Sequence, residues 1–321
     1  MMMSIDHIDG YWFNRVSSLT YSHNEEDISV EDLAQAQKER LAHIDFRLYF
    51  LGSVGRNDLV KRFGIKEAAA TRDLAQYREL KPGNIEYDTK AKLYKVTEGF
   101  QPLFDYQSER VLSALSKGVG DDTVSAQKPF IPCETPSQLS KPDLDVLSVL
   151  TRAIYKKQVA QIEYRSVSSG FTTREVVPFY LVDNGLRWHI RAYDRRRNRF
   201  TDFVLTRITR PKLLPDSPIE DHELSSEDIQ WNRIVELEIV AHPQLDHKET
   251  IEADYGMENG VLPLKIRAAV AGYLLRRWNV DCTSKGSLRG AEYHLWLKNR
   301  QALYGVDNLK IAPGIEQDPV Q

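Results

Sequence analysis

Cysteine is scarce. Cys133 and Cys282 are the two in 321 residues, and they sit in unrelated contexts. That excludes a disulfide framework and fits a reducing compartment. Long apolar runs are missing too. No stretch approaches the roughly 20 residues that cross a bilayer, and the opening MMMSIDHIDGYWF has neither the basic nor the apolar region of a secretory signal. A cytoplasmic protein with no membrane partner is expected. Short chemical motifs are equally absent: no nucleophile elbow, phosphate-loop lysine, HExxH or CxxC pair occurs. His242 and His247 are separated by Pro243 and have no cysteine nearby, so no metal is expected. Gly118-Val119-Gly120 does not follow a strand pattern and reads as a joint. With no residue singled out for catalysis, the chain reads as a non-enzyme without cofactor.

What is present belongs to a globular protein of two or three domains, 41% hydrophobic and 28% charged. The net charge of −3 hides an asymmetry. Residues 41–97 hold eleven Lys/Arg against seven Asp/Glu, residues 141–215 fifteen against seven, and residues 216–258 two against thirteen. The first two regions attract phosphates and the third repels them.

Periodicity divides the chain. Residues 1–33 form an N-terminal extension to which the pattern gives no role. From Ala34 a helical repeat runs through Leu41, Ile44, Leu48 and Leu51 until Gly52 and Gly55 stop it. A short helix is predicted over 58–63, capped by Asn57, and a third over 66–80, ended by Pro82-Gly83. Two strands, 85–87 and 93–96, flank the polar tip Asp88-Thr89-Lys90-Ala91-Lys92. Three helices and a hairpin make residues 34–100 a winged helix-turn-helix. Residues 101–142 have linker composition, with a helical stretch near 105–115 and then Pro129, Pro132, Pro136 and Pro142. In residues 143–215 a helix over 144–156 precedes strands at 160–165, 172–180, 187–193 and 199–205, which suggest a small barrel. Asp183-Asn184-Gly185 is a hairpin signal between the middle two. Residues 216–321 alternate β-α-β-α-β, the pattern of a small α+β layer. The fold class is multidomain α+β.

Two sets of residues invite partners. With Ala70, Leu74 and Tyr77 buried on the third helix, Ala68, Ala69, Arg72 and Gln76 face outward, flanked by Lys66 and Thr71. Small residues let the backbone sink into a major groove, and Arg72 one turn in can meet guanine O6/N7 or a phosphate. Lys90 and Lys92 on the wing can reach the adjacent backbone. The alternative is a solvated helical face. In the middle domain, strand alternation puts His189, Arg191 and Tyr193 opposite Trp188, Ile190 and Ala192. Arg195, Arg199 and Arg207 follow, and Tyr164 joins Tyr193 as a candidate for stacking bases. This set suits a nucleotide or single-stranded nucleic acid. Here the alternative is a solvated basic hairpin.

The run Arg187-Trp188-His189-Ile190-Arg191-Ala192-Tyr193-Asp194, followed by Arg199-Phe200 and Leu205-Thr206-Arg207-Ile208, resembles a WYL domain. Of the Trp-Tyr-Leu triplet that names the family only Trp188 is kept, with His189 and Ile190 in the other places. Arg47-Leu48-Tyr49-Phe50-Leu51-Gly52, residues 58–65 and Ala69-Ala70-Thr71-Arg72-Asp73-Leu74 are similar to winged-helix repressors beside bacterial anti-phage operons, the BrxR/CapW type. The acidic C-terminal part matches the position of that family's WCX extension. The resemblance implies an Sm-like barrel, an intertwined homodimer on a palindromic double-stranded operator, and a ligand at Tyr164, Trp188, His189, Arg191, Tyr193, Arg195, Arg199 and Arg207. Two other readings stay open: an activator switched by single-stranded DNA, and an accessory subunit of a nuclease or helicase.

Overall fold

A computed structural model describes residue 30 and residues 33–117, 129–134 and 139–317. The N-terminal extension lies almost wholly outside the described residues, and so does the Gly118-Val119-Gly120 joint. The chain divides into two compact units, residues 1–135 and 136–321.

In the first unit α1 (Gln35–Leu51) buries Leu41, Ile44 and Leu48, the three-and-four spacing of one helix face, and ends where Gly52 takes a φ of 77°. α2 (Arg56–Phe63) is capped differently from the sequence expectation. The Asp58 carboxylate reaches back to accept the Gly55 N–H at 2.8 Å, and Asn57 lies inside the helix. Gly64, with φ 63°, makes the tight turn into α3 (Glu67–Leu80). β1 (Ser53–Val54), β2 (Ile85–Asp88) and β3 (Leu93–Val96) form an antiparallel sheet in the order β1-β3-β2. The core joins Leu41, Ile44, Leu48, Leu59, Leu74 and Tyr77. Beyond the wing, α4 (Ser108–Lys117) follows, and the aromatic rings of Phe46, Phe50 and Tyr106 meet on the outer side of α1.

The second unit opens with α5 (Leu144–Lys156), whose N-cap Asp143 accepts the Asp145 and Val146 N–H groups at 2.8 and 3.1 Å. Five antiparallel strands follow: β4 (Val159–Ser166), β5 (Gly170–Asp183), β6 (Trp188–Asp194), β7 (Arg199–Val204) and β8 (Ile208–Leu214). Their order is β7-β6-β5-β4-β8. Among the described residues β7 and β8 do not pair with each other, so the ladder stays an open sheet where a small barrel was expected. Pro178 lacks an N–H to donate, and the β5–β6 register slips just after it.

The chain then runs through α6 (Ile229–Asn232), β9 (Ile234–Ala241), α7 (Lys248–Asp254), β10 (Leu262–Arg267), α8 (Ala268–Arg277), β11 (Val280–Asp281) and β12 (Leu295–Leu297). The predicted alternation is present, and β11 adds a fourth strand in the order β10-β9-β12-β11. Leu237, Ile239, Leu275, Leu295, Leu297 and Leu303 form its core. Among the described residues no helix is long and apolar enough to cross a membrane. Nor do three or more His, Cys, Asp or Glu side chains gather to hold a metal. His242 instead lies 3.1 Å from the buried Asp281 carboxylate.

Candidate nucleic-acid interface and ligand cavities

α3 turns Ala70, Asp73, Leu74 and Tyr77 inward. Lys66, Ala68, Thr71 and Arg72 are exposed, Ala69 is half-buried, and Arg72 makes no ion pair or side-chain hydrogen bond among the described residues. Thr71 donates its hydroxyl to the Glu67 carbonyl at 2.9 Å, which leaves the oxygen free to accept. Gln76 departs from the expected free face: its side-chain carbonyl accepts from Gln37 on α1. The inward carboxylate of Asp73 is held bidentately by Arg40 at 2.6 and 3.2 Å, so it adds no uncompensated negative charge behind the exposed face.

The wing tip is preformed. Asp88 Oδ1 accepts the N–H groups of Lys90 and Ala91 at 2.8 and 2.9 Å, and Lys92 takes a φ of 55°. Lys95 sits 2.6 Å from Asp88 and helps hold that carboxyl down to about 2. Lys95 is thereby neutralised, and Lys90 and Lys92 remain exposed, without an acidic partner among the described residues.

Beneath this surface lies a node that sequence reasoning missed. Asp45 is fully buried on α1. It accepts from the Tyr77 hydroxyl of α3, from the Tyr106 hydroxyl at 2.8 Å and from the Leu103 N–H at 3.0 Å. Asn84 donates to the Tyr77 oxygen at 3.0 Å and exchanges two hydrogen bonds with the Gln101 backbone at 2.7 and 3.0 Å. Burial, together with the Asp45 charge, pushes both phenols above their usual range. One carboxylate thus fastens α3, the base of the wing and the chain leaving it. The available signal was Asp45 itself, four residues after Leu41 on the face that also buries Ile44 and Leu48.

The expected ligand residues of the second unit do not form one groove. Tyr164 and Trp188 pack into the sheet core with Leu150, Ile162, Ile190 and Phe203. The Tyr164 ring meets Phe203 edge-on at 5.0 Å, so it is not available to stack a base. Arg191 is 6% exposed and consumed by carboxylates: Asp228 at 2.7 and 3.1 Å and Asp202 at 3.1 Å. Arg195 is held by Glu223 at 2.6 and 2.7 Å and by Glu175 at 3.2 Å. Tyr193 is buried among Phe200 and His222. Arg199 and Arg191 line a cavity of about 550 Å³ whose wall also carries Asp202, Glu227, Asp228 and Asp307. His189 and Arg207 line a different one, of about 460 Å³. The acidic segment that seemed a phosphate-repelling neighbour supplies Glu223 and Asp228, the counter-ions of the arginine strand.

A three-helix winged unit, followed by an antiparallel sheet bearing the Trp188–Asp194 strand and an α+β layer, defines a winged-helix regulator of the WYL class. Residues 36–117 match the BrxR transcriptional regulator winged helix-turn-helix domain, residues 145–213 the WYL domain, and residues 234–303 the BrxR transcriptional regulator C-terminal dimerization domain. The DNA-binding transcriptional repressor CapW of Escherichia coli strain KTE188 is 32% identical over 84% of this chain and 91% of its own. The Pseudomonas aeruginosa CapW is 32% identical over 83% and 90%, and that of Stenotrophomonas maltophilia 28% over 83% and 90%. The chain belongs to the CapW family. Among solved structures, proteasome accessory factor B/C of Arthrobacter aurescens is 18% identical with a TM-score of 0.27, over 84% of this chain and 46% of its own, too distant to carry an argument.

Proposed function

We propose that the protein is a homodimeric, sequence-specific DNA-binding repressor that acts without a catalytic step. The observation that carries this is Arg72. It is a guanidinium without a partner among the described residues, on the exposed face of α3, one turn past the small Ala68 and Ala69, where a bidentate contact to guanine is within reach. Lys66 and Thr71 beside it, with Lys90 and Lys92 on the wing, suit phosphate contacts that set register. The relatives named DNA-binding transcriptional repressor support the reading, and the match to a dimerization domain supports two reading helices on a palindromic operator. In this reading the protein is cytoplasmic and controls a phage-defence operon. A nucleotide or single-stranded nucleic acid in the second unit lowers DNA affinity by binding the DNA-incompetent arrangement more tightly.

Fluorescence anisotropy with a duplex from upstream of its own gene, against a scrambled duplex at one salt concentration, tests it. Arg72→Ala should weaken the specific complex by about 1–3 kcal/mol and leave the non-specific one nearly unchanged. Equal losses on both duplexes would make Arg72 a phosphate contact. No preference for the upstream duplex in the unaltered protein would end the repressor reading.

A further inference from the structure

One cavity in the second unit gathers cations without their counter-ions. Its wall of about 460 Å³ includes Arg187 before β6, Arg207 after β7, and Arg276 and Arg277 in the last turn of α8. No aspartate or glutamate lines it, and none of the four arginines has an ion-pair partner among the described residues. The larger cavity beside β7 is the contrast, because there Asp202 and Asp228 pair with Arg191, and Glu227 and Asp307 add carboxylates to the wall that holds Arg199. An anion entering that cavity meets carboxylates, whereas one entering the smaller cavity meets guanidinium groups.

Two further features mark this cavity as built. His189 in its wall is 4% exposed, its Nδ1 makes no hydrogen bond, and its ring stacks on Tyr273 at 5.2 Å and 27°. Burial holds this imidazole below its usual value, and its Nδ1 can donate to a ligand oxygen in the tautomer that carries the proton there. Gly185, at the tip of the β5–β6 hairpin, has a φ of 82°, and a Cβ there would fall 2.5 Å from Arg277 Cδ. The missing side chain lets Arg277 lie against the hairpin. The α8 arginines are thereby seated against the sheet that carries His189.

We infer that α8 completes the ligand site, and that the cavity takes a terminal phosphate or pyrophosphate group clamped between Arg187 and Arg207 on one side and Arg276 and Arg277 on the other. This rests on the ligand-controlled repressor reading and names its site. The space is that of one small ligand. An interior phosphodiester brings one negative charge, and its chain must leave in two directions. A terminal phosphate brings close to two charges and leaves in one. Guanidinium forks bind such oxygens bidentately, so four of them select the more highly charged group. The ligand would then touch the WYL sheet and the dimerization-domain segment at once.

Titration calorimetry of the full chain tests the assignment with four probes: inorganic pyrophosphate, ATP, and pentathymidine with a 5′-phosphate or a 5′-hydroxyl. The 5′-phosphorylated strand should bind at least tenfold tighter than the hydroxyl strand. Arg276→Gln with Arg277→Gln should weaken every phosphorylated probe that binds by tenfold or more. Lys285→Gln, which removes an exposed cation outside the cavity, should change none of them. ATP binding as tightly as the phosphorylated strand would identify a free nucleotide; a strong preference for the strand would identify a nucleic-acid end. An unchanged affinity in the double variant, or equal binding of the two strands, overturns the assignment. If phosphorylated probes release operator duplex from the unaltered protein and the double variant alike, the repressor reading stands and only the role of α8 falls. If no probe binds the unaltered protein, the assignment of this cavity falls, and the upstream-duplex titration decides the repressor reading separately.

Discussion

Arg191→Ala should act through stability rather than through ligand response. The Arg191 side chain is 8% exposed and lies between the carboxylates of Asp202 and Asp228, which are 9% and 2% exposed. Truncation removes the one cation from a buried triad and leaves two carboxylates facing each other. Asp202 keeps the Tyr273 hydroxyl at 2.9 Å, and Asp228 keeps the Trp231 N–H at 3.1 Å. Neither donor replaces a charge. Breaking a buried pair by removing one partner costs about 3–5 kcal/mol, against a total of roughly 5–15 kcal/mol for a folded domain. Arg191→Lys should fall between, because one ammonium cannot span both carboxylates as the guanidinium fork does. Urea unfolding followed by far-ultraviolet circular dichroism gives the loss, and a cycle with Asp228→Ala gives the coupling. If Arg191→Ala unfolds within about 0.5 kcal/mol of the unaltered protein yet no longer responds to ligand, the ion-pair argument is wrong and the arginine belongs to a ligand site.

Lys90→Ala with Lys92→Ala should weaken binding to every duplex and flatten the dependence of log K on log salt by up to about two units; an unchanged slope in the anisotropy titration would remove the wing from the DNA. His43 is buried beside Arg62 and Arg47, and burial first, then those charges, hold it at about 3 against an ordinary 6.5. Its folded value is depressed, so the unfolded chain takes up the proton first and stability falls as pH drops from 6.5 toward 3. The slope is up to about 1.4 kcal/mol per pH unit, and His43→Leu should flatten it in urea melts across that window. Asp45→Ala strands the Tyr77 and Tyr106 hydroxyls and the Leu103 N–H, at about 1–3 kcal/mol for each group left buried and unsatisfied. Limited proteolysis should then cut near residues 101–106 sooner, and an unaltered cleavage rate there would contradict the network.

Much of the fold was legible because it follows local rules. The stripes of α1 and α3, the Gly64 turn, the Asn184-Gly185 hairpin and the alternation after residue 234 need only periodicity and turn chemistry. β1 and β11, each two residues long, were not legible, because so short a strand has no period and exists only through its partner. β8, beyond the strands expected up to residue 205, carries Pro211, which weakens a strand pattern but is tolerated at a sheet edge. The outward residues of α3 followed from the buried ones, apart from Gln76. The ligand residues did not follow in the same way. Alternation placed Arg191 and His189 on one face, but no local rule says that Asp228 and Glu223 fold back to occupy that face. Arg276 and Arg277, nearly seventy residues after Arg207, reach the cavity wall only through tertiary packing.

The Asp45 node sets where natural variation in chain length can fall. The DNA-binding unit does not finish with the wing at Val96. The stretch after it is fastened to α1 by the Leu103 N–H and the Tyr106 hydroxyl, both spent on a carboxylate with no access to water. An insertion or deletion between residues 97 and 106 shifts those donors off Asp45, whereas a change in length beyond Tyr106 leaves them in place. Related chains should therefore keep a fixed count of residues from the wing to this tyrosine and differ in length only after it. A fragment meant to bind DNA by itself has to extend past the same point, because one that stops at residue 100 would leave the buried Asp45 carboxylate with the Tyr77 hydroxyl but without its Leu103 and Tyr106 donors.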